Sequence, residues 1–193
     1  MSELYHHGVL GMKWGVRRYQ DYDGHRIKNG ALFVSGSSKT QDKNSEYYRQ
    51  ELPKEVKNRL DKAIKDNQKV LVGDAPGIDR QVQDYLNSKK YDNVEVFSPG
   101  KESRYTANKN WKNNYIDSGK HEIGSKEWLA EKDKVMSDRA TEGLSVILDS
   151  GANATRRNVE RLIEQNKHVK VYQLNKNKKD SWVNNPELVK ALE

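Results

Sequence analysis

The sequence predicts an α/β protein with a Rossmann-like, doubly wound, mainly parallel sheet of about five strands and helices on both faces. Two observations carry this expectation. Between Ala31 and Asn175, short apolar runs alternate with segments of helical period, and several of the runs end in glycine-containing turns. Strand and helix patterns that alternate this regularly imply parallel strands joined by crossover helices.

Each element follows from its own residues. Ala31-Leu32-Phe33-Val34 is the first strand, ending in Ser35-Gly36-Ser37-Ser38. Pro53 suits the first turn of a helix in which Val56, Leu60, Ala63 and Ile64 recur at helical spacing. Val70-Leu71-Val72 is the second strand, followed by the turn Gly73-Asp74-Ala75-Pro76-Gly77 and a helix bearing Ile78, Val82, Tyr85 and Leu86. Val94 to Phe97 is the third strand. The polar stretch 98–126 contains Trp111, Tyr115 and Ile116 as its large apolar residues, and a loop of that length is more often functional or partly helical than idle. Residues 126–140 read as a helix with Leu129, Lys132, Asp133 and Met136 at helical intervals. Leu144 to Leu148 is the fourth strand, Val159, Leu162 and Ile163 mark the next helix, and Val169 to Tyr172 closes the sheet as an edge strand.

Three segments are expected: an N-terminal extension over 1–30, the α/β domain over 31–175, and a linker over 176–193 in which Trp182, Leu188, Val189 and Leu192 form a short terminal helix. The chain of 193 residues suits one main core. Charged residues make up 33% against 34% hydrophobic, so the helices are heavily solvated outside. The net charge of +7 is spread along the chain, and lysines such as Lys54, Lys57, Lys62 and Lys65 interleave with Glu55, Asp61 and Asp66. That is the pattern of a solvated helix rather than of a nucleic-acid face. The absence of cysteine removes disulfides and thiolate metal sites. No metal or cofactor is expected, since His6 and His7 lack a third ligand nearby. No apolar run reaches the roughly 20 residues that span a bilayer, and the N-terminus has no apolar core of a signal peptide. A soluble protein of the cytoplasm is expected.

In an open α/β sheet a ligand sits beyond the carboxyl ends of the strands, near the point where strand order reverses. There the turns Gly36-Ser37-Ser38, Gly73-Asp74-Ala75-Pro76-Gly77 and Asp149-Ser150-Gly151 through Thr155 meet, and small residues beside helix N-termini favour phosphate. Each turn taken alone equally reads as an ordinary turn and helix cap.

Val72-Gly73-Asp74-Ala75-Pro76-Gly77-Ile78-Asp79 resembles the GxAxGxD turn of the SLOG superfamily, a Rossmann-like group of DNA-processing and lysine-decarboxylase-like nucleotide-binding proteins. Lys132-Asp133, Met136, Ala140, Gly143, Ile147-Leu148-Asp149 and Thr155 resemble the second half of its pattern. The resemblance spans about 145 residues. The strand-end geometry, the resemblance and the arginine chemistry together point to phosphate or ligand contacts from Gly36, Ser37, Ser38, Gly73, Asp74, Ala75, Gly77, Asp79, Asp149, Ser150, Gly151, Thr155 and Arg156. Where the group carries Gly-Thr this chain carries Ala154-Thr155, and the following Arg156 and Arg157 are either bidentate phosphate ligands or surface residues. Separately, Tyr5, His6, His7, Gly8 and Gly11 to Tyr19 resemble the YHHG…GMKWGVRRY element at the ends of phage structural and head-associated proteins.

These resemblances lead to an expected phage-encoded protein that captures a nucleotide, NAD-derived or cyclic-nucleotide signal, blunting host defence. The alternative is a hydrolase or transferase acting on the glycosidic or phosphate bond of such a ligand, with Asp133 as the first catalytic candidate among Asp79, Asp133 and Asp149. The phosphoribohydrolase signature PGGxGTxxE is absent. A lesser alternative is a virion-associated nucleic-acid binder using Trp111, Lys112 and Tyr115 as a stacking strip. Expected partners are a nucleotide-like small molecule and, as an open possibility, further copies of the chain in a homo-oligomer; no membrane partner is expected.

Overall fold

The computed structural model describes residues 30–117, 119–151 and 153–184. The N-terminal extension and the terminal-helix residues Leu188, Val189 and Leu192 lie outside them.

Alternation along the first strand, β1 (Ala31–Gly36), sorts the core into two layers. Leu32 and Val34 face helices α1 (Lys54–Lys65) and α2 (Ile78–Ser88), packing with Val56, Leu60, Val82 and Leu86. Ala31 and Phe33 face α3 (Lys126–Arg139) and α4 (Asn153–Glu164), packing with Met136, Val159 and Leu162. Each of these buried Val, Leu, Phe and Met side chains contributes about 1.5–3 kcal/mol relative to exposure.

The other strands are β2 (Lys69–Gly73), β3 (Val94–Pro99), β4 (Lys112–Ile116), β5 (Glu142–Leu148), β6 (His168–Leu174) and β7 (Ser181–Trp182). They form a sheet in the order β4-β3-β2-β1-β5-β6-β7. All pairings are parallel except β6 with β7. The chain winds outward from β1 to β4 under α1 and α2, then returns beside β1 at β5 under α3. Strand order therefore reverses between β1 and β5, where Val34 lies opposite Leu144.

Two strands exceed the sequence expectation. β4 falls inside the stretch expected to be loop; its Lys-Asn-Asn-Tyr-Ile sequence is polar because an edge strand has one neighbour and a wet outer side. β7 places Trp182 in an antiparallel pairing with Tyr172 rather than in a terminal helix, and the two rings meet edge to face at 5.0 Å. As a consequence β6 is not the edge of the sheet.

The β3–β4 connection is anchored, not loose. Gln83, wholly buried on α2, donates to Gly73 O at 2.8 Å and accepts from Ala107 N at 3.0 Å. Trp111 is only 4% exposed and donates to Tyr91 O, which removes it from any nucleic-acid stacking strip.

Candidate functional site

At the switch point the turns after β1 and β2 and the facing sides of α3 and α4 enclose a cavity of about 750 Å³. Glycines bring its walls together. A Cβ on Gly36 would stand 2.5 Å from the Ile78 side chain, so the bare backbone lets the start of α2 close onto β1. Gly77 adopts φ +87°, open to glycine at little cost, and lies against the Ser37 carbonyl; Ile78 N donates to that carbonyl at 3.2 Å. Ser37 Oγ accepts from Lys39 N and caps the short 3-10 helix Ser38–Gln41.

The inner wall holds a cluster of charges. Lys132 Nζ donates to Asp133 Oδ1 at 2.7 Å, and Asn158 Nδ2 donates to Asp133 Oδ2 at 3.0 Å. A Cβ on Gly73 would collide with Asp79 Oδ2 and stand 2.7 Å from Lys132 Nζ, so this glycine makes room for the ion cluster rather than for a ligand. Burial pushes the Asp79 carboxyl up to about 7, against the opposing pull of Lys132, and the charge of Asp133 adds to the rise. Burial disfavours the Lys132 ammonium, yet Asp133 and Asp79 outweigh it and hold the group above its ordinary value. Asp74 is fully buried and accepts from Arg104 N and Nε, each at 3.0 Å, and from Arg104 Nη2 at 2.5 Å.

The mouth is cationic. Lys39, Lys126 and Arg157 line the cavity, are exposed, and have no carboxylate partner among the described residues. Gly151, at φ +81°, faces Lys39 across the crevice, with Lys39 Nζ 3.8 Å from the position of a Cβ. Arg161, deeper on α4, donates to Asn158 Oδ1 at 3.0 Å.

Of the residues expected from sequence, Gly36, Ser37, Ser38, Ala75, Asp79, Asp133, Gly151 and Thr155 line the cavity together. Gly73, Asp74 and Gly77 stand behind its wall, supporting it. Asp149 and Ser150 turn elsewhere: Asp149 accepts from Tyr47 Oη and from Lys176 N, and Tyr47 Oη lies 2.7 Å from Ser150 Oγ. The Tyr47 bond holds Asp149 below the usual carboxylate range. Arg156 is buried and donates to Leu148 O at 2.8 Å, so it ties α4 to β5 instead of facing a phosphate. Its neighbour Arg157 takes the outward position. Lys39, Lys126, Arg104, Asn158 and Arg161 carried no sequence signal, since lone polar residues in turns and helices have many other uses.

Fold and crevice together define a doubly wound α/β protein with a cationic-mouthed cavity at its switch point. Residues 1–21 match a family described as a family of unknown function (DUF7211). No curated protein matches the chain. Among the described residues no helix is long and apolar enough to cross a membrane.

Proposed function

We propose that the protein binds a nucleotide-like, phosphate-bearing ligand in the switch-point cavity and holds it unchanged. The observation that carries this reading is the set of exposed cations Lys39, Lys126 and Arg157 on one cavity mouth, without carboxylates to neutralise them. Charge-assisted bonds from such groups are the strong ones for phosphate. The start of α4 at the same mouth adds partial positive charge. Capture is favoured over turnover because both oxygens of Asp133 already accept bonds from Lys132 and Asn158. The SLOG-like turns and the phage-like N-terminal element support the further reading of a phage protein that sequesters a nucleotide signal of host defence.

One observation favours the hydrolase or transferase alternative. Asp79 lines the cavity with its carboxyl near 7, the range in which a group serves as a general acid at neutral pH. Native mass spectrometry of freshly purified protein separates the readings. Capture predicts a co-purifying mass of nucleotide size, recovered intact after heat denaturation. Release of a cleaved product on incubation with NAD-like or cyclic nucleotides would replace capture by turnover.

A further inference from the structure

Helix α3 buries Lys132 while Leu129 and Ala130 stay half-buried, the reverse of an ordinary amphipathic helix packed on a sheet. The cause is the cavity. Lys126, Leu129, Ala130, Asp133 and Met136 follow at spacings of three and one and so share a helix face, and all five line the cavity. Phe33 and Met136, each 1% exposed, close the inner end. The cavity therefore has two chemical parts: a cationic mouth, and an α3 wall that is apolar at Leu129, Ala130 and Met136. Its volume of about 750 Å³ matches small-molecule sites of roughly 300–1,000 Å³ and exceeds the needs of a bare phosphate.

We infer that the α3 wall is the subsite for the flat, apolar end of the ligand, the base of a nucleoside phosphate, which enters first and leaves its phosphates at the mouth. This rests on the anion-binding reading above and adds the demand for a base. A ligand confined to the mouth leaves Leu129 and Ala130 facing water, whereas a base laid on them removes that apolar surface from solvent. Asp133 stands on the same wall between Ala130 and Met136 and repels a phosphate placed there. Arg161, at similar depth, is engaged by Asn158 and Ser137. A sugar phosphate without a base is accordingly a poor ligand.

Calorimetric titration with pyrophosphate, ribose 5-phosphate and AMP tests this on the full chain, on Leu129→Ser and on Ala130→Leu. Wild type should bind AMP, which differs from ribose 5-phosphate only by its base, about tenfold or more tightly than ribose 5-phosphate. Leu129→Ser should erase that preference, and Ala130→Leu, which crowds the wall, should block AMP while leaving pyrophosphate unchanged. Both positions are half-buried, and the unfolding midpoint of each variant shows whether it is folded; if one fails to fold, the other carries the test. Equal affinity of wild type for AMP and ribose 5-phosphate, or equal weakening of all three probes in the variants, overturns the base subsite while leaving the anion site standing. If none of the three probes binds wild type, the anion-binding reading itself falls, and this inference with it.

Discussion

Lys132 donates its ammonium to Asp133, its own neighbour in sequence, at 2.7 Å. Adjacent residues on a helix do not ordinarily face each other, so this bond exists because both side chains turn into one buried crevice beside Asp79. Removing Lys132 leaves the buried Asp79 and the half-buried Asp133 carboxyls without their cation. Lys132→Met should therefore cost about 3–5 kcal/mol in urea unfolding. A loss below about 1 kcal/mol would mean that the cluster is not buried as described.

Asp79 gives stability a distinctive pH dependence. Its folded value of about 7 lies above the unfolded value of about 3.9, so between those pH values the folded state holds a proton that the unfolded state has released. The contribution of this group to stability is present below about pH 4 and is lost as pH rises through 7, with a limiting slope of about 1.4 kcal/mol per pH unit. Asp79→Asn should remove the slope, gaining stability relative to wild type at pH 8 more than at pH 5. Parallel curves for the two proteins from pH 4 to 8 contradict the assignment.

Gly73→Ala should lower stability by about 1–3 kcal/mol, because the added methyl meets the Asp79 carboxylate and the Lys132 ammonium. The double variant Gly73→Ala with Asp79→Ala should recover part of that loss, since it removes the carboxylate the methyl meets. An additive loss in the double variant would place the strain elsewhere.

Arg156 and Arg157 should separate cleanly. Arg156→Ala breaks the bond to Leu148 O and should lower the unfolding midpoint, at a cost of about 1–3 kcal/mol from an unsatisfied buried carbonyl. Arg157→Ala removes an exposed side chain and should leave the midpoint within about 0.5 kcal/mol while weakening nucleotide binding. The opposite pattern would restore Arg156 as the ligand contact.

The strands β1, β2 and β5 were legible because strands covered on both faces read as largely apolar runs such as Val70-Leu71-Val72, and β3 and β6 because Glu95 and Lys170 alternate with apolar neighbours. β4 was not, because its asparagines and lysine suit a solvated edge, and β7 was not, because two residues carry no period. At the site, the glycine turns announced where the chain must bend. Which of two adjacent arginines faces the cavity depends on a rotation of about 100° per residue, and the start of α4 had to be placed to within one residue to decide it. Asp149 sat at the right strand end, but its partner Tyr47 comes from a loop 102 residues away in sequence.

Capture of a phosphate-bearing, nucleotide-like ligand by the cationic mouth is the function we propose. Its most direct test is the melting temperature of wild type and of Lys39→Ala with Arg157→Ala, measured against adenine nucleotides, ADP-ribose and cyclic nucleotides. At about one hundred times its dissociation constant a ligand adds about 2.7 kcal/mol, which for a chain of this size raises the melting temperature by about 5–10 °C. Capture predicts such a rise for at least one member of the panel in wild type, and its loss in the double variant with the unliganded melting temperature unchanged. No rise with any nucleotide, or an equal rise in both proteins, contradicts it.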